Sequence, residues 1–258
     1  MTAVPSPRAL VTALLLTGTL VSCGGNAPSA PAGEPPAAVP AAEPIDPATV
    51  AAIEGTVTFD GAAPKPTPIN MSSDPYCQGQ GAATTQAVLV DGKNGLQNVF
   101  VYVKDGLGNR VFPVPQAPVV LDQHHCQYSP RIFGIQAGQP LEIRNSDDTL
   151  HNIHARPAQN REFNRGQGSA GMTHTHVFTA PEVMVPFKCD VHRWMNAWVG
   201  VLPHPYYAVS AADGTFSLRG LPPGTYTIEA WHESLGTRTE TVTLGPSATG
   251  RVSFHFSA

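Results

Sequence analysis

The segment Phe187-Lys188-Cys189-Asp190-Val191-His192-Arg193-Trp194-Met195 places a thiol, an imidazole and a thioether at Cys-x2-His-x2-Met spacing. Cys189 falls where a β-rich run, residues 183–188, gives out, and a tight loop there can turn His192 and Met195 back toward one point. A second imidazole must come from elsewhere. Upstream, Asn145-Ser146-Asp147-Asp148-Thr149-Leu150-His151-Asn152 supplies His151 on a loop leaving a strand. One Cys, two His and a weak axial Met form the donor set of a type 1 (blue) copper site. Thiolate and thioether suit Cu(I), and imidazole suits both oxidation states. A scaffold holding one geometry for both lets an electron pass with little rearrangement. Zinc is the competing metal, but Zn²⁺ seldom takes a thioether and usually closes its site with more thiolate or imidazole. Each residue alone has a plainer reading, Met195 as core packing and His151 as a loop hydrogen-bonder. Their joint order and strand context favour a metal.

The elements that position these residues read as strands. Charged residues make up 13% of the 258, against 26 Pro and 24 Gly, a composition of short strands and turns rather than helices. Alternating or β-rich runs cover residues 53–59, 96–103, 119–121, 132–135, 141–144, 173–178, 183–188, 197–202, 215–218, 225–230, 237–244 and 252–256. Asp60-Gly61, Asn94-Gly95, Asp105-Gly106, Asp213-Gly214 and Pro222-Pro223-Gly224 supply turns between them. No stretch longer than a turn or two reads as helix, so an all-β sandwich architecture is expected. A formal net charge of -4 argues against nucleic acid as a partner.

Tyr128-Ser129-Pro130, Ile135-Gln136-Ala137-Gly138, Leu141-Glu142-Ile143-Arg144-Asn145, His151-Asn152, Phe178-Thr179-Ala180-Pro181 and the Cys-His-Met loop follow one another in an order that resembles the cupredoxins. The short ligand loop is similar to that of amicyanins. The resemblance runs from about residue 119 to 202. It implies a Greek-key sandwich with copper at one end, held by His151, Cys189, His192 and Met195. It further implies that Asn152 ties the two ligand loops together. In that family the ring edge of the second histidine faces solvent, so a redox partner is expected to dock near His192, with Trp194 as an apolar rim. Two departures stand out. Asp190 sets a charge beside the thiol, where it could lower a copper potential, and residues 156–171 form a longer polar connection than small cupredoxins have.

Phe216-Ser217-Leu218-Arg219-Gly220-Leu221-Pro222-Pro223-Gly224-Thr225-Tyr226-Thr227 resembles the carboxypeptidase regulatory-like domains, transthyretin-like sandwiches of the carbohydrate-binding-like fold. The opening of such a domain looks like Ile53-Glu54-Gly55-Thr56-Val57-Thr58-Phe59-Asp60-Gly61. Neither end of the chain has enough strands for two sheets, but together they do. This implies a cupredoxin domain (111–204) inserted between the two parts (51–110 and 205–258) of a second sandwich. The alternative is that the N-terminal strands extend the copper domain. Trp231, Tyr206 and Tyr207 could stack on a glycan if exposed; otherwise they fill a core or an interface.

At the N-terminus, Arg8 precedes an apolar run, residues 9–20, that is too short to span a membrane. It ends in Leu20-Val21-Ser22-Cys23-Gly24, which resembles the bacterial lipobox. This implies a signal peptide (1–22), lipidation of Cys23 and an Ala/Pro-rich tether (23–50). The protein is then expected at the bacterial cell envelope, held to the membrane by lipid alone and facing the periplasm. Gly24 in place of Asp points to the outer membrane. Of the 4 cysteines, three remain after Cys23. Export favours disulfides, and an odd number suggests one pair and one thiol with another task. If Cys189 holds a metal, Cys77 and Cys126 are left to pair; two buried free thiols are the alternative.

The remaining histidines read more plainly. His174 and His176 share one strand face and could hold a second metal, though exposed strand positions are the simpler reading. His154 should point away from His151, His124 and His125 read as loop residues beside a disulfide, and His204 reads as a boundary residue with no ligand role. His232-Glu233 lacks the second histidine of a zinc-protease helix, since Gly236 stands there. With all four ligand positions supplied by protein, no site for substrate remains and no enzyme is expected. The chain reads as a one-electron carrier, against a non-catalytic envelope binding or scaffold protein, or a copper storage or delivery protein.

Overall fold

The computed structural model describes residues 44–258. The expected signal peptide, Cys23 and most of the tether lie outside the described residues. Strands in chain order are β1 (Ala51–Asp60), β2 (Phe100–Asp105), β3 (Val119–His124), β4 (Gln127–Ser129), β5 (Ile132–Gln136), β6 (Pro140–Asn145), β7 (His151–Ala155), β8 (Phe163–Gln167), β9 (Thr173–Val177), β10 (Glu182–Lys188), β11 (Asn196–Leu202), β12 (Tyr207–Val209), β13 (Thr215–Leu221), β14 (Gly224–His232), β15 (Gly236–Leu244) and β16 (Thr249–Ser257). One helical turn, α1 (Pro75–Gly79), lies between β1 and β2. The fold class is all-β.

Four sheets form two sandwiches. One pairs the sheet β13-β1-β16 with β12-β2-β14-β15; the other pairs β5-β11-β10-β7-β8 with β4-β3-β6-β9. The strands at the two ends of the chain therefore share a sandwich, and β3 to β11 make up the other. In β1 the period-two pattern sends Ile53, Val57 and Phe59 inward, where they meet Val252, Phe254 and Phe256 of β16 and Tyr226 and Ile228 of β14. The second core contains Leu121, Phe133, Ile135, Leu141, Ile143, Phe178, Val185, Phe187 and Val199.

Strands β2 and β11 are buried on both faces, which joins the sandwiches. Val101 and Val103 serve the first core while Phe100 and Tyr102 turn the other way. Phe100 and Tyr207 stack with centroids 5.6 Å apart. They fit because the facing cross-strand pair is Gly134 and Gly200. A Cβ on either glycine would lie 2.3 Å from a ring carbon of Tyr207 or Phe100, respectively. Arg131 and Glu233 close the joint with two contacts of 2.7 Å, and the Arg131 guanidinium lies over Trp198. Tyr206 is buried, while Tyr207 and Trp231 pack against the joint, so these rings serve packing rather than an open sugar-stacking surface.

Three differences from the sequence reading concern local pattern. His151 opens strand β7 rather than sitting within a loop, and the connection 156–171 contains the edge strand β8. Strand β8 reads Phe163-Asn164-Arg165-Gly166-Gln167, mostly exposed, with little β propensity of its own; pairing with β7 makes it a strand. Residues 69–83, expected to belong with the end sandwich, instead pack Met71 and Cys77 into the other core.

His232 lies in the end sandwich, 1% exposed beside Phe256, with Nε2 buried and unpartnered. Burial, and then the Arg131 charge, lower its pKa to about 4. It is neutral when folded at pH 7. Below the ordinary value of about 6.5 the unfolded chain takes up a proton that the folded chain refuses, so stability falls until pH reaches about 4. The total is roughly 3 kcal/mol at about 1.4 kcal/mol per unit. The His232→Gln variant should lose less stability than wild type between pH 7 and pH 4.5, measured by denaturant unfolding. Parallel losses in the two proteins would show that this ring does not titrate as described.

Candidate metal centre

Two loops at one end of the β3–β11 sandwich build the site. In the first, Asn145 Oδ1 accepts from Asp147 N (2.9 Å), while its amide donates to Thr149 O and Gln167 O. This closed turn presents Asp147 and His151 side by side. In the second, Cys189 N donates to Met195 O (3.2 Å), Met195 N to His192 O (2.9 Å) and His192 N to Cys189 Sγ (3.3 Å). The loop thus folds back as the Cys-x2-His-x2-Met spacing suggested. Asn152 Oδ1 accepts from Asp190 N (2.7 Å), Val191 N (3.3 Å) and the Cys189 thiol (3.2 Å), which fastens the loops to each other.

His151, Cys189 and His192 offer donor atoms within 4.8 Å of one another, and all three residues are buried. Their Nδ1 atoms converge: His151 Nδ1 is 2.9 Å from His192 Nδ1, which is 3.9 Å from Cys189 Sγ. The outer edges of both rings meet carboxylates. His151 Nε2 lies 2.9 Å from Asp147 Oδ2, and His192 Nε2 lies 3.0 Å from Asp74 Oδ2. A carboxylate fixes the proton on the nitrogen it faces, leaving the other lone pair for a metal. Two Nδ1 lone pairs and a thiolate aimed at one buried point fit a single cation of soft or borderline character. Burial alone would push the Cys189 thiol up. Hydrogen bonds with His151 and His192, and with the backbone of Asn152 and His192, outweigh this and lower it to about 6, so the thiolate is available at neutral pH. Met195 is buried in the same core cluster as Cys189.

Both carboxylates escaped the sequence reading. Asp147 is fully buried and also accepts from His125 N (2.9 Å), Cys126 N (2.7 Å) and the Tyr76 hydroxyl (3.3 Å). Burial would raise its carboxyl, but the bonds from His151 and the two amides hold it below the ordinary range. Its only sequence signal was its place four residues before His151. Asp74 is the N-cap of α1, accepting from Tyr76 N and Cys77 N. No local signal relates it to residues more than a hundred positions away.

The exposed ring edge expected at His192 is not found: the residue is 1% exposed. The α1 segment covers it, with Asp74 on Nε2 and Cys77 Sγ at 3.7 Å. A disulfide joins Cys77 to Cys126. Trp194 packs with its ring 5.0 Å from that of His192 and donates its indole N–H to Cys126 O.

Asp190 turns outward, toward Lys188 Nζ (3.2 Å), His154 Nδ1 (2.9 Å) and Asn164 Nδ2 (2.8 Å). Burial alone would raise its carboxyl, but the bonds from Lys188, Asn164, Asn152 and His154 together outweigh this and lower it to about 2, and Lys188 balances its charge. His154 faces away from His151, as its spacing requires. His176 stacks on Phe163, His124 stacks on His125, and His204 donates to Val103 O at the boundary. Among the described residues, every His/Cys/Asp/Glu group tight enough to share an ion includes His151 or His192.

Residues 196–257 match the model of the carboxypeptidase regulatory-like domain; the match begins at the first residue of β11. No curated protein matches the chain by sequence. Solved structures similar to it include a purple cupredoxin from Nitrosopumilus maritimus (23% identity, 33% of this chain and 99% of that one, TM-score 0.28). Others are a mutant amicyanin in its Cu(I) form (17%, 39% and 97%, TM-score 0.30) and the Cu-containing nitrite reductase (NirK) from Thermus scotoductus SA-01 (19%, 38% and 24%, TM-score 0.32). This chain therefore spans 24% of the nitrite reductase's length.

Proposed function

We propose that this chain is a type 1 copper protein of the bacterial envelope that carries one electron at a time, with no catalytic role. The carrying observation is the convergence of two Nδ1 atoms and a thiol on one buried point while both Nε2 atoms face carboxylates. His151, Cys189 and His192 would hold the ion, with Met195 as the weak axial donor. A bound copper would alternate between Cu(I) and Cu(II). The protein's own part is to keep the donors still. Asp147 and Asp74 hold the rings by their outer edges, Asn152 locks the loops together, and the α1 segment excludes water. The covered His192 edge moves the expected contact with a redox partner to the surface around Trp194 and α1. We further read the strand partition as a cupredoxin domain inserted into a transthyretin-like sandwich, with lipidated Cys23 tethering both to a membrane, in the outer membrane by the Gly24 signal.

Detergent-extracted protein from the membranes of expressing cells should take up one Cu(II) per chain and become intensely coloured in the visible range, with a reversible one-electron couple. No copper uptake under oxidising conditions would end the carrier reading. Recovery in the soluble fraction alone would end the anchored one.

A further inference from the structure

We propose that the Cys77–Cys126 disulfide is a latch that holds α1 shut over the metal centre and so sets how fast the ion enters and leaves. This rests on the copper reading above. His151, Cys189 and His192 are each at most 1% exposed, so an ion reaches their donor atoms only if something moves. Most of the enclosure is ill suited to moving. His151 opens β7, which is paired on both sides, and the Cys189 loop is closed by its own backbone bonds and by Asn152.

The α1 segment differs. It is a five-residue helix within the long connection from β1 to β2. Its base rests on an isolated bridge, Pro68 to Thr84, and on backbone bonds from Ile69 N to Ala83 O and from Thr85 N to Thr67 O. Segments with few ladder bonds open more readily than core strands. Asp74 and Tyr76 attach it through bonds from Thr149 Oγ1 (2.7 Å) and to Asp147 (3.3 Å), which can break and reform. The disulfide cannot. Cys77 Sγ touches the outer edge of His192, and Cys126 belongs to the turn fastened to Asp147, which holds His151. The latch therefore bears on the surroundings of both imidazoles. Both its cysteines are fully buried, so solution thiols reach the closed bond poorly. Once formed in an oxidising compartment it stays shut.

The test uses the full-length chain, loaded with copper and reduced to Cu(I) with ascorbate. Transfer to an excess of a bidentate Cu(I) chelator is then timed. The Cys77→Ser, Cys126→Ser double variant should release copper roughly tenfold faster or more, as expected for a segment free to open, while showing the same visible band when oxidised. If that variant gives no band, metal-free wild-type protein is reduced with a trialkylphosphine in denaturant, freed of phosphine by anaerobic gel filtration, refolded and loaded with Cu(I). Its release rate is compared with that of protein carried through the same steps unreduced. The reduction turns the phosphine into its oxide with the oxygen of one water as two thiols form. Faster release after reduction supports the latch. Equal release rates with the bond open and closed overturn it and leave the copper reading standing. A chain that takes no copper in either form overturns both.

Discussion

Replacing Cys189 by serine should abolish the intense visible absorption of the Cu(II)-loaded protein, leaving well under a tenth of the wild-type intensity. The colour of a type 1 site comes from charge transfer between thiolate and Cu(II), and Cys189 is the free cysteine among the described residues. A serine hydroxyl does not ionise near neutral pH and is a harder donor, so any metal retained would be held by two imidazoles in a different geometry. The substitution is also a fair structural replacement. Cys189 Sγ accepts from His192 N and faces Asn152 Oδ1, and a hydroxyl can serve both roles. The metal-free variant should therefore unfold within a few degrees of wild type. A variant that keeps the full band would mean that the colour arises elsewhere and that this thiol is not a ligand.

Asp147→Ala should destabilise the metal-free protein by about 3 to 5 kcal/mol, the range for removing one partner from a buried charged network. The carboxylate accepts from two backbone amides, a tyrosine hydroxyl and a ring nitrogen. Alanine leaves the buried Cys126 amide and His151 ring nitrogen without a partner, and each unmet buried bond costs about 1 to 3 kcal/mol; the part-buried His125 amide and Tyr76 hydroxyl lose less. The two amides belong to His125 and Cys126, which turn β3 into β4 with φ of 52° and 54°. Consecutive left-handed residues suit a type I′ hairpin but are unfavourable without glycine, so the carboxylate holds a turn that the sequence alone disfavours. Denaturant unfolding measures the loss, and a change below about 1 kcal/mol would mean that water or a rearranged turn replaces the carboxylate. The same variant should bind copper more weakly, since its His151 ring is free to rotate.

Contact between these groups also explains which of them could be recognised beforehand. Cys189, His192 and Met195 stood out because a thiol, an imidazole and a thioether within one short loop are an unusual combination; the structure brings the first two together with His151 and buries Met195 in the same core as Cys189. His151 and Asn152 were legible through their order relative to flanking strands. Asp147 sits in the same loop but looks like one more acidic turn residue, and its role appears only once the β3–β4 turn lies against it. The helical turn carrying Asp74 and Cys77 belongs in sequence to the connection between two strands of the other sandwich. Its arrival over His192 depends on where a loop of some forty residues (61–99) is pinned.

Local chemistry was enough to determine the all-β class, since period-two burial and turn residues are written into neighbouring positions. It was likewise enough to single out His151, Cys189 and His192, whose donor atoms the structure brings within 4.8 Å of one another, since donor type is a property of side chains. Tertiary structure decided which faces of β2 and β11 become interfaces, that β8 is a strand, which carboxylate orients each imidazole, and that the second histidine is covered rather than open. Those outcomes depend on contacts between segments far apart along the chain, and no window of the sequence contains both partners.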